Sequence, residues 1–191
     1  EPADYYNVFV EEVLIAGKSV NFPQPVNTAP GRPNLPTRTI VDSGTTRIFL
    51  NTQENADALL AAMGASGMVT FPPKTTASEI KDFYSFKRAI RGAKVNPPKT
   101  FQISVRAPGE SPPAIIDVDP ENLFRKTDQG LVQIGIAPEP GGGGTILGAR
   151  VFQGNVLMFD RSGGRIGIAR GRDCHETYSV DDIDTFFARV L

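Results

Sequence analysis

Sixteen prolines and nineteen glycines are spread through 191 residues and cut the chain into many short apolar runs. Proline removes a backbone donor and fixes φ, and glycine favours turns, so only a few segments remain for helices of three turns or more. The chain is therefore expected to be mostly β, a closed β-barrel or sandwich with a few short helices. Val8 to Ile15 and Ser19 to Phe22 flank Ala16-Gly17-Lys18 and read as a hairpin. Thr39 to Val41, Ile48 to Leu50, Thr100 to Val105, Ala114 to Val118, Leu131 to Ile136, Asn155 to Phe159 and Arg165 to Ala169 run apolar or alternate over strand lengths. Phe22 to Pro36 carries five prolines and reads as a surface loop.

Two segments have helical signatures. Asn51 with Glu54 three residues on makes a capping-box pattern, and Ala56, Leu59, Leu60 and Met63 then repeat at helical spacing up to Gly64. Ile80 to Ile90 fits a helix or a strand, since Phe83, Tyr84 and Phe86 suit either. Beyond Arg170 the chain turns polar, and Val180, Ile183, Phe187 and Val190 fall on one helical face behind a Ser179 cap. The expected organisation is one lobe over residues 1–170 and a tail, 171–191, whose short amphipathic helix packs on it.

The chemistry concentrates at Asp42-Ser43-Gly44-Thr45-Thr46, a turn between two β-branched or apolar runs. Gly44 permits a tight turn that brings main-chain amides near the carboxylate. The neighbouring hydroxyls can donate hydrogen bonds to it and fix its orientation, while the apolar strands wall it from solvent. A carboxylate so held and reachable from one side suits general acid/base work. Taken alone, Asp-Ser-Gly also fits an Asx-turn between strands.

About a hundred residues on, Thr145-Ile146-Leu147-Gly148-Ala149 leads through Phe159-Asp160-Arg161 to Ile166-Gly167-Ile168-Ala169. In combination with Asp42-Ser43-Gly44-Thr45-Thr46, and in this order, these elements resemble the C-terminal lobe of pepsin-like aspartic proteases from Tyr5-Tyr6 through about Ala169. The opening Asp4-Tyr5-Tyr6-Asn7-Val8 and Cys174-His175-Glu176 are most similar to the membrane-anchored memapsin or β-secretase branch.

The resemblance implies that Asp42 is one of two catalytic aspartates, at the end of a ψ-shaped loop through which Ile146-Leu147-Gly148 passes as structural support. Ser43 would interlock with its counterpart in the other lobe, and Thr45 would bond the outer carboxylate oxygen. Gly44 and Thr46 would contact substrate backbone; Arg47 and Phe49, by their closeness to Asp42 in sequence alone, are expected to influence the subsites. The implied partners are the N-terminal lobe of the same protease, a peptide or protein substrate and pepstatin-type inhibitors; no metal or other cofactor is implied. This chain has only one Asp-Ser/Thr-Gly, so half of such an active site lies outside it. The family's internal disulfide has no cysteines here, and Cys174 is either a free thiol or a link to the other lobe.

Composition narrows the alternatives. Twenty Lys plus Arg against 21 Asp plus Glu give a net charge of −1, no general reason to bind nucleic acid or an anionic membrane. No run reaches the roughly 18 apolar residues of a bilayer span, and Glu1-Pro2-Ala3-Asp4 lacks signal-peptide character. One cysteine and no Asn-x-Ser/Thr sequon leave the compartment open between a reducing and a secretory or endolysosomal one. His175 is the single histidine and has no Gly-x-Ser-x-Gly to serve. Gly141 to Gly144 has no Gly-Lys-Ser/Thr and reads as a hairpin connection. Asp181-Asp182 reads as a solvated helix start and Asp160-Arg161 as a turn. Two functions stay open: one lobe of an active aspartic endopeptidase, or a catalytically silent pepsin-like binding or inhibitor module. A retrovirus-like single-lobe homodimer fits less well, because the chain is much longer than such enzymes.

Overall fold

A two-residue connection joins antiparallel strands without splaying them as a type I′ or II′ turn, and type I′ requires both residues to take positive φ. Ala16 and Gly17 do so, at 51° and 75°, and join β1 (Tyr6–Ile15) to β2 (Lys18–Ser19) with Ile15 opposite Lys18. The computed structural model describes residues 6–26, 39–84, 89–96, 100–106, 113–126, 131–139, 144–160, 165–171 and 187–189. Within them the remaining strands and helices follow in chain order. They are β3 (Thr39–Asp42), β4 (Ile48–Leu50), α1 (Gln53–Ala65), β5 (Val69–Thr70), α2 (Ala77–Tyr84), β6 (Ile90–Arg91), β7 (Lys94–Val95), β8 (Phe101–Arg106) and β9 (Ala114–Val118). A 3-10 turn (Pro120–Leu123) leads to β10 (Phe124–Lys126), β11 (Leu131–Ile134), β12 (Ile136–Pro138), β13 (Ile146–Gly148), α3 (Ala149–Phe152), β14 (Asn155–Asp160), β15 (Arg165–Arg170) and β16 (Phe187–Arg189).

The chain is mostly β, as the proline and glycine spacing requires. Its main sheet runs β12-β4-β13-β3-β1-β8-β9, with β2 added to β1. β1 holds it together by changing partners: Tyr6 to Val8 pair with β3, and Phe9 to Ile15 pair with β8. The register shifts between Val10 and Glu12, and such a bulge bends the sheet. No closed barrel forms among the described residues. β12 and β9 remain at opposite edges, and the other strands form small separate sheets, β10-β11-β6, β14-β15-β16 and β5-β7.

Alternation sets the core. Phe101, Ile103 and Val105 of β8 point inward with Val8, Val10, Val13 and Ile15 of β1, and meet Leu59, Leu60 and Met63 of α1. At about 25 cal/mol per Å2 of apolar surface, each such side chain contributes roughly 1.5–3 kcal/mol when fully buried.

Several boundaries differ from the sequence expectation, and one is β2, which covers Lys18–Ser19 where Ser19 to Phe22 was expected. The cap of α1 is Thr52, whose hydroxyl accepts from Asn55 N, and not Asn51. Asn51 is occupied elsewhere: its Nδ2 donates to the Pro25 carbonyl at 2.9 Å and its Oδ1 accepts from Asn55 at 2.9 Å. The Ile80 to Ile90 segment divides into the end of α2 and the start of β6. Thr76 and Glu79 cap α2 reciprocally, Glu79 N donating to the Thr76 hydroxyl and Thr76 N to Glu79 Oε2; this Thr-Ala-Ser-Glu spacing was visible in the sequence. Finally, Phe187–Arg189 is not helical as expected but a strand, paired with β15 from Arg165↔Arg189 to Gly167↔Phe187. An apolar stripe at helical spacing cannot report a partner edge, and here the edge of β15 offers ladder hydrogen bonds. Residues 172–186 of the tail lie outside the described residues, as do Cys174, His175 and Asp181-Asp182.

Asn55, fully buried, ties α1 to the segment entering the proline-rich stretch. Its Nδ2 donates to the Gln24 carbonyl at 2.9 Å and its Oδ1 accepts from Gln24 N at 3.0 Å. Asn55→Leu removes the two bonds to the exposed Gln24 and the buried bond to Asn51 Oδ1, so urea denaturation should show a loss of about 2 kcal/mol. A loss below about 1 kcal/mol would mean that the partners find other hydrogen bonds.

Candidate active site

β3 ends at Asp42, where a tight turn begins. Thr45 N donates to the Asp42 carbonyl at 3.3 Å, closing a turn over Ser43 and Gly44. The same turn folds two donors onto the side chain: Gly44 N reaches Asp42 Oδ1 at 2.8 Å and the Thr45 hydroxyl reaches Oδ2 at 2.5 Å. Each carboxylate oxygen thus has its own donor, and a 2.5 Å O–H···O contact belongs to the strong, charge-assisted class. A Cβ on residue 44 would lie 3.1 Å from Asp42 Oδ1, so glycine gives the close approach its room.

The Thr45 hydroxyl, then the Gly44 amide, hold the Asp42 carboxyl below the ordinary carboxylate range; burial pushes the other way and is outweighed. A lowered folded-state pKa means that the stabilisation is complete above the unfolded value of about 3.9 and is lost as pH falls through the lowered one.

The turn is held from behind by β13, which lies between β3 and β4 in the sheet. It runs parallel to β3, with Ile146, Leu147 and Gly148 opposite Ile40, Val41 and Asp42, and antiparallel to β4, with Ile146 opposite Phe49. The loop leaves β3, turns at Asp42 and returns as β4 on the other side of β13. Gly148 has φ −87°, which any residue adopts, so what it supplies is space. A Cβ there would strike the carbonyl oxygens of Thr45 and Arg47. Just past it, Ala149 N donates to Thr45 O at 2.6 Å and Arg150 N to Thr46 O at 3.3 Å, so the first amides of α3 grip the loop.

The five residues read from the sequence therefore stand together at one end of the main sheet. Asp42 and Thr45 are half-buried; Ser43, Gly44, Thr46 and Arg47 are exposed, and Phe49 is half-buried on β4. The carboxylate is less enclosed than its flanking apolar runs suggested, because the strands wall only its base. Among the described residues no group of three or more His, Cys, Asp or Glu side chains gathers as a metal-ligand set, and no helix is long and apolar enough to cross a membrane.

Several supports escaped the sequence reading. Thr145 is buried, donates its hydroxyl to Val26 O at 2.8 Å and accepts Ile40 N on its own carbonyl. Gly135 interrupts the expected Leu131 to Ile136 strand, its carbonyl accepting Ile48 N at 2.9 Å. A glycine inside an apolar run was the available signal for such a close approach.

The local geometry is thus an Asp on a hydroxyl-braced turn with a hydrophobic-hydrophobic-Gly strand threaded behind it. The sequence profile of the eukaryotic aspartyl proteases matches residues 3–171, and the chain belongs to that family of peptide hydrolases. No curated protein matches the chain individually.

Proposed function

We propose that the chain is the C-terminal lobe of a two-lobe aspartic endopeptidase and that Asp42 is one of its two catalytic aspartates. The observation that carries this reading is the two-donor clasp on Asp42, Gly44 N on one oxygen and the Thr45 hydroxyl on the other. With both oxygens held, the carboxylate keeps one orientation through a proton transfer.

The second carboxylate comes from the N-terminal lobe, a few ångströms away, and the pair shares one proton because two like charges so close do not both ionise cheaply. The ionised member takes a proton from a bound water, which attacks the peptide carbonyl as the protonated member polarises its oxygen. The low intrinsic pKa that Thr45 and Gly44 give Asp42 favours it as the ionised member. Ser43, exposed beside Asp42, faces the partner lobe, and exposed Gly44 and Thr46 offer backbone and hydroxyl groups to substrate. The Tyr5-Tyr6-Asn7-Val8 opening and the place of Cys174 favour the memapsin-like branch, with Cys174 joined to the other lobe.

The test measures cleavage of a fluorogenic peptide by the 191 residues alone and by the protein with both lobes. The chain alone should be inactive. The whole enzyme should show pepstatin-sensitive turnover, with a bell-shaped profile on the acidic side whose two apparent pKa values belong to the pair. Pepstatin-sensitive turnover by the lone chain would point to a homodimer, and a whole protein that binds pepstatin without cleaving would be the silent module.

A further inference from the structure

Arg150 is the second residue of α3, and its bonds tie the outgoing limb of the loop that carries Asp42 to a distant corner of the chain. Its backbone N donates to Thr46 O at 3.3 Å. Its guanidinium Nη1 donates to Asn122 O at 2.5 Å and to Phe124 O at 3.2 Å, clasping the corner between the 3-10 turn and β10. From that corner Leu123 O accepts Gly135 N at 2.5 Å, and Gly135 O accepts Ile48 N at 2.9 Å. The path closes on itself: Thr46, Arg150, the Asn122 to Phe124 corner, Gly135, Ile48. It closes through Thr46, Arg47 and Ile48, the stretch that follows Thr45. Asn122 Nδ2 adds a second tie between corner and helix by donating to Gln153 O at 3.3 Å.

The stem of Arg150 needs a glycine to reach the corner. A Cβ on residue 135 would lie 2.8 Å from Arg150 Cδ and 3.4 Å from Nε, so Gly135 is the groove through which the side chain passes. Gly135 is buried and Arg150 half-buried, which shields the two guanidinium bonds from much of the competition with water. A planar guanidinium with several donors in fixed geometry spans two carbonyls of one corner, which an ammonium does with poorer directionality.

From this geometry we infer that Arg150 is a positioning residue for the reaction: by locking the outgoing limb of the turn to the Asn122–Phe124 corner, it fixes where the Thr45 hydroxyl meets Asp42. The inference rests on the assignment of Asp42 as a catalytic aspartate. Loosening the ring lets Thr45 and Thr46 drift, which takes the 2.5 Å bond out of the short, charge-assisted range and turns the O–H away from Oδ2, where a hydrogen bond weakens steeply. Because that bond lowers the Asp42 pKa, its weakening raises it. The groups that lower this carboxyl are the Thr45 hydroxyl and the Gly44 and Thr45 amides, all on its own turn, and Arg47 is the charged residue next along the loop. β3, β4 and β13 carry no other titratable side chain, and β1 places Tyr6 opposite Val41.

The test compares Arg150→Met, which keeps a stem of similar length in the Gly135 groove, Arg150→Lys, which keeps the charge, and Gly135→Ala, which pushes the stem out, all in the whole enzyme. Arg150→Met should move the acid limb of the kcat/KM profile upward by about half a pH unit or more, the equivalent of weakening one hydrogen bond. kcat should fall while KM stays near the wild-type value; Lys should restore part of the shift and Gly135→Ala should reproduce it. Carbon-13 NMR of labelled aspartate, with Asp42→Asn assigning the resonance, should show the same upward movement without relying on turnover. An acid limb and an Asp42 resonance that titrate as in the wild type, with only a lower melting temperature, would overturn the inference and leave Arg150 a structural clasp. If Arg150→Met does not fold, Lys and Gly135→Ala decide on the same two readouts. Wild-type turnover in Asp42→Asn would instead overturn the function from which the inference starts, so the two failures are separable.

Discussion

Asp42→Asn in the two-lobe protein should fold normally and lose peptide hydrolysis by roughly 10^2 to 10^4 fold, the contribution of a positioned acid or base. The fold should survive because the side chain changes neither size nor shape, and its surroundings can meet an amide. Gly44 N can still donate to the carbonyl oxygen, and the Thr45 hydroxyl, which now donates to Oδ2, can rotate to accept from the amide nitrogen. The chemistry should not survive. An amide takes no proton from water, and the remaining carboxylate loses the like charge that made the pair share one proton. What activity is left should lack the two coupled ionisations of the wild type and follow a single one. Kinetics over pH 3 to 7, with circular dichroism to show that the fold persists, check this. Near wild-type turnover would make Asp42 a turn residue only, with the chemistry carried by other groups.

How much of this was legible before any coordinates depended on how local the cause was. The strands of the main sheet were readable because alternation is a property of neighbouring residues, and Ile48–Leu50 and Ala114–Val118 fell where the sequence put them. The Ala16-Gly17 hairpin was readable for the same reason. What the sequence hid was pairing. Phe187–Arg189 carries a helical stripe and becomes a strand because β15 has an open edge, which no window of the tail reveals. Asn51 looked like a cap and lost that role to Thr52 because Pro25, 26 residues earlier, takes its amide. At the site, Asp42 and its donors lie within four residues and were legible together, whereas Arg150 and Gly135 act through carbonyls at Asn122, Phe124 and Leu123. Backbone acceptors carry no sequence signature, so only the folded chain displays the ring.

The largest effect expected from a residue that touches no substrate is at Gly148. The Cβ introduced by Gly148→Ala has two backbone carbonyl oxygens in its way, Thr45 O and Arg47 O, and Arg47 C stands 3.0 Å off. Backbone has no rotamer to escape into, unlike a flexible side chain, so the loop or β13 must move as a body. β13 is the less free, since it pairs with β3 on one side and β4 on the other. The loop should therefore yield, carrying Thr45 away from Asp42 and stretching the Ala149 N to Thr45 O bond that closes the grip from α3. The cost in stability is that of an overpacked site, about 1–3 kcal/mol. The cost in rate is larger, because a misplacement of about 1 Å at a catalytic group is worth on the order of 10^2 fold. Both should appear together: a lower denaturation midpoint, and kcat down by about 10^2 under conditions where the variant is fully folded. The contrasting substitution is Gly154→Ala, a glycine at φ 83° with nothing within 4 Å of a built Cβ, where the strain is conformational and the added methyl meets no atom of the turn. It should cost stability, about 1 kcal/mol, and leave kcat unchanged. Equal losses of rate at both positions would mean that activity follows overall stability, and that the space around Gly148 has no particular bearing on how Asp42 is held.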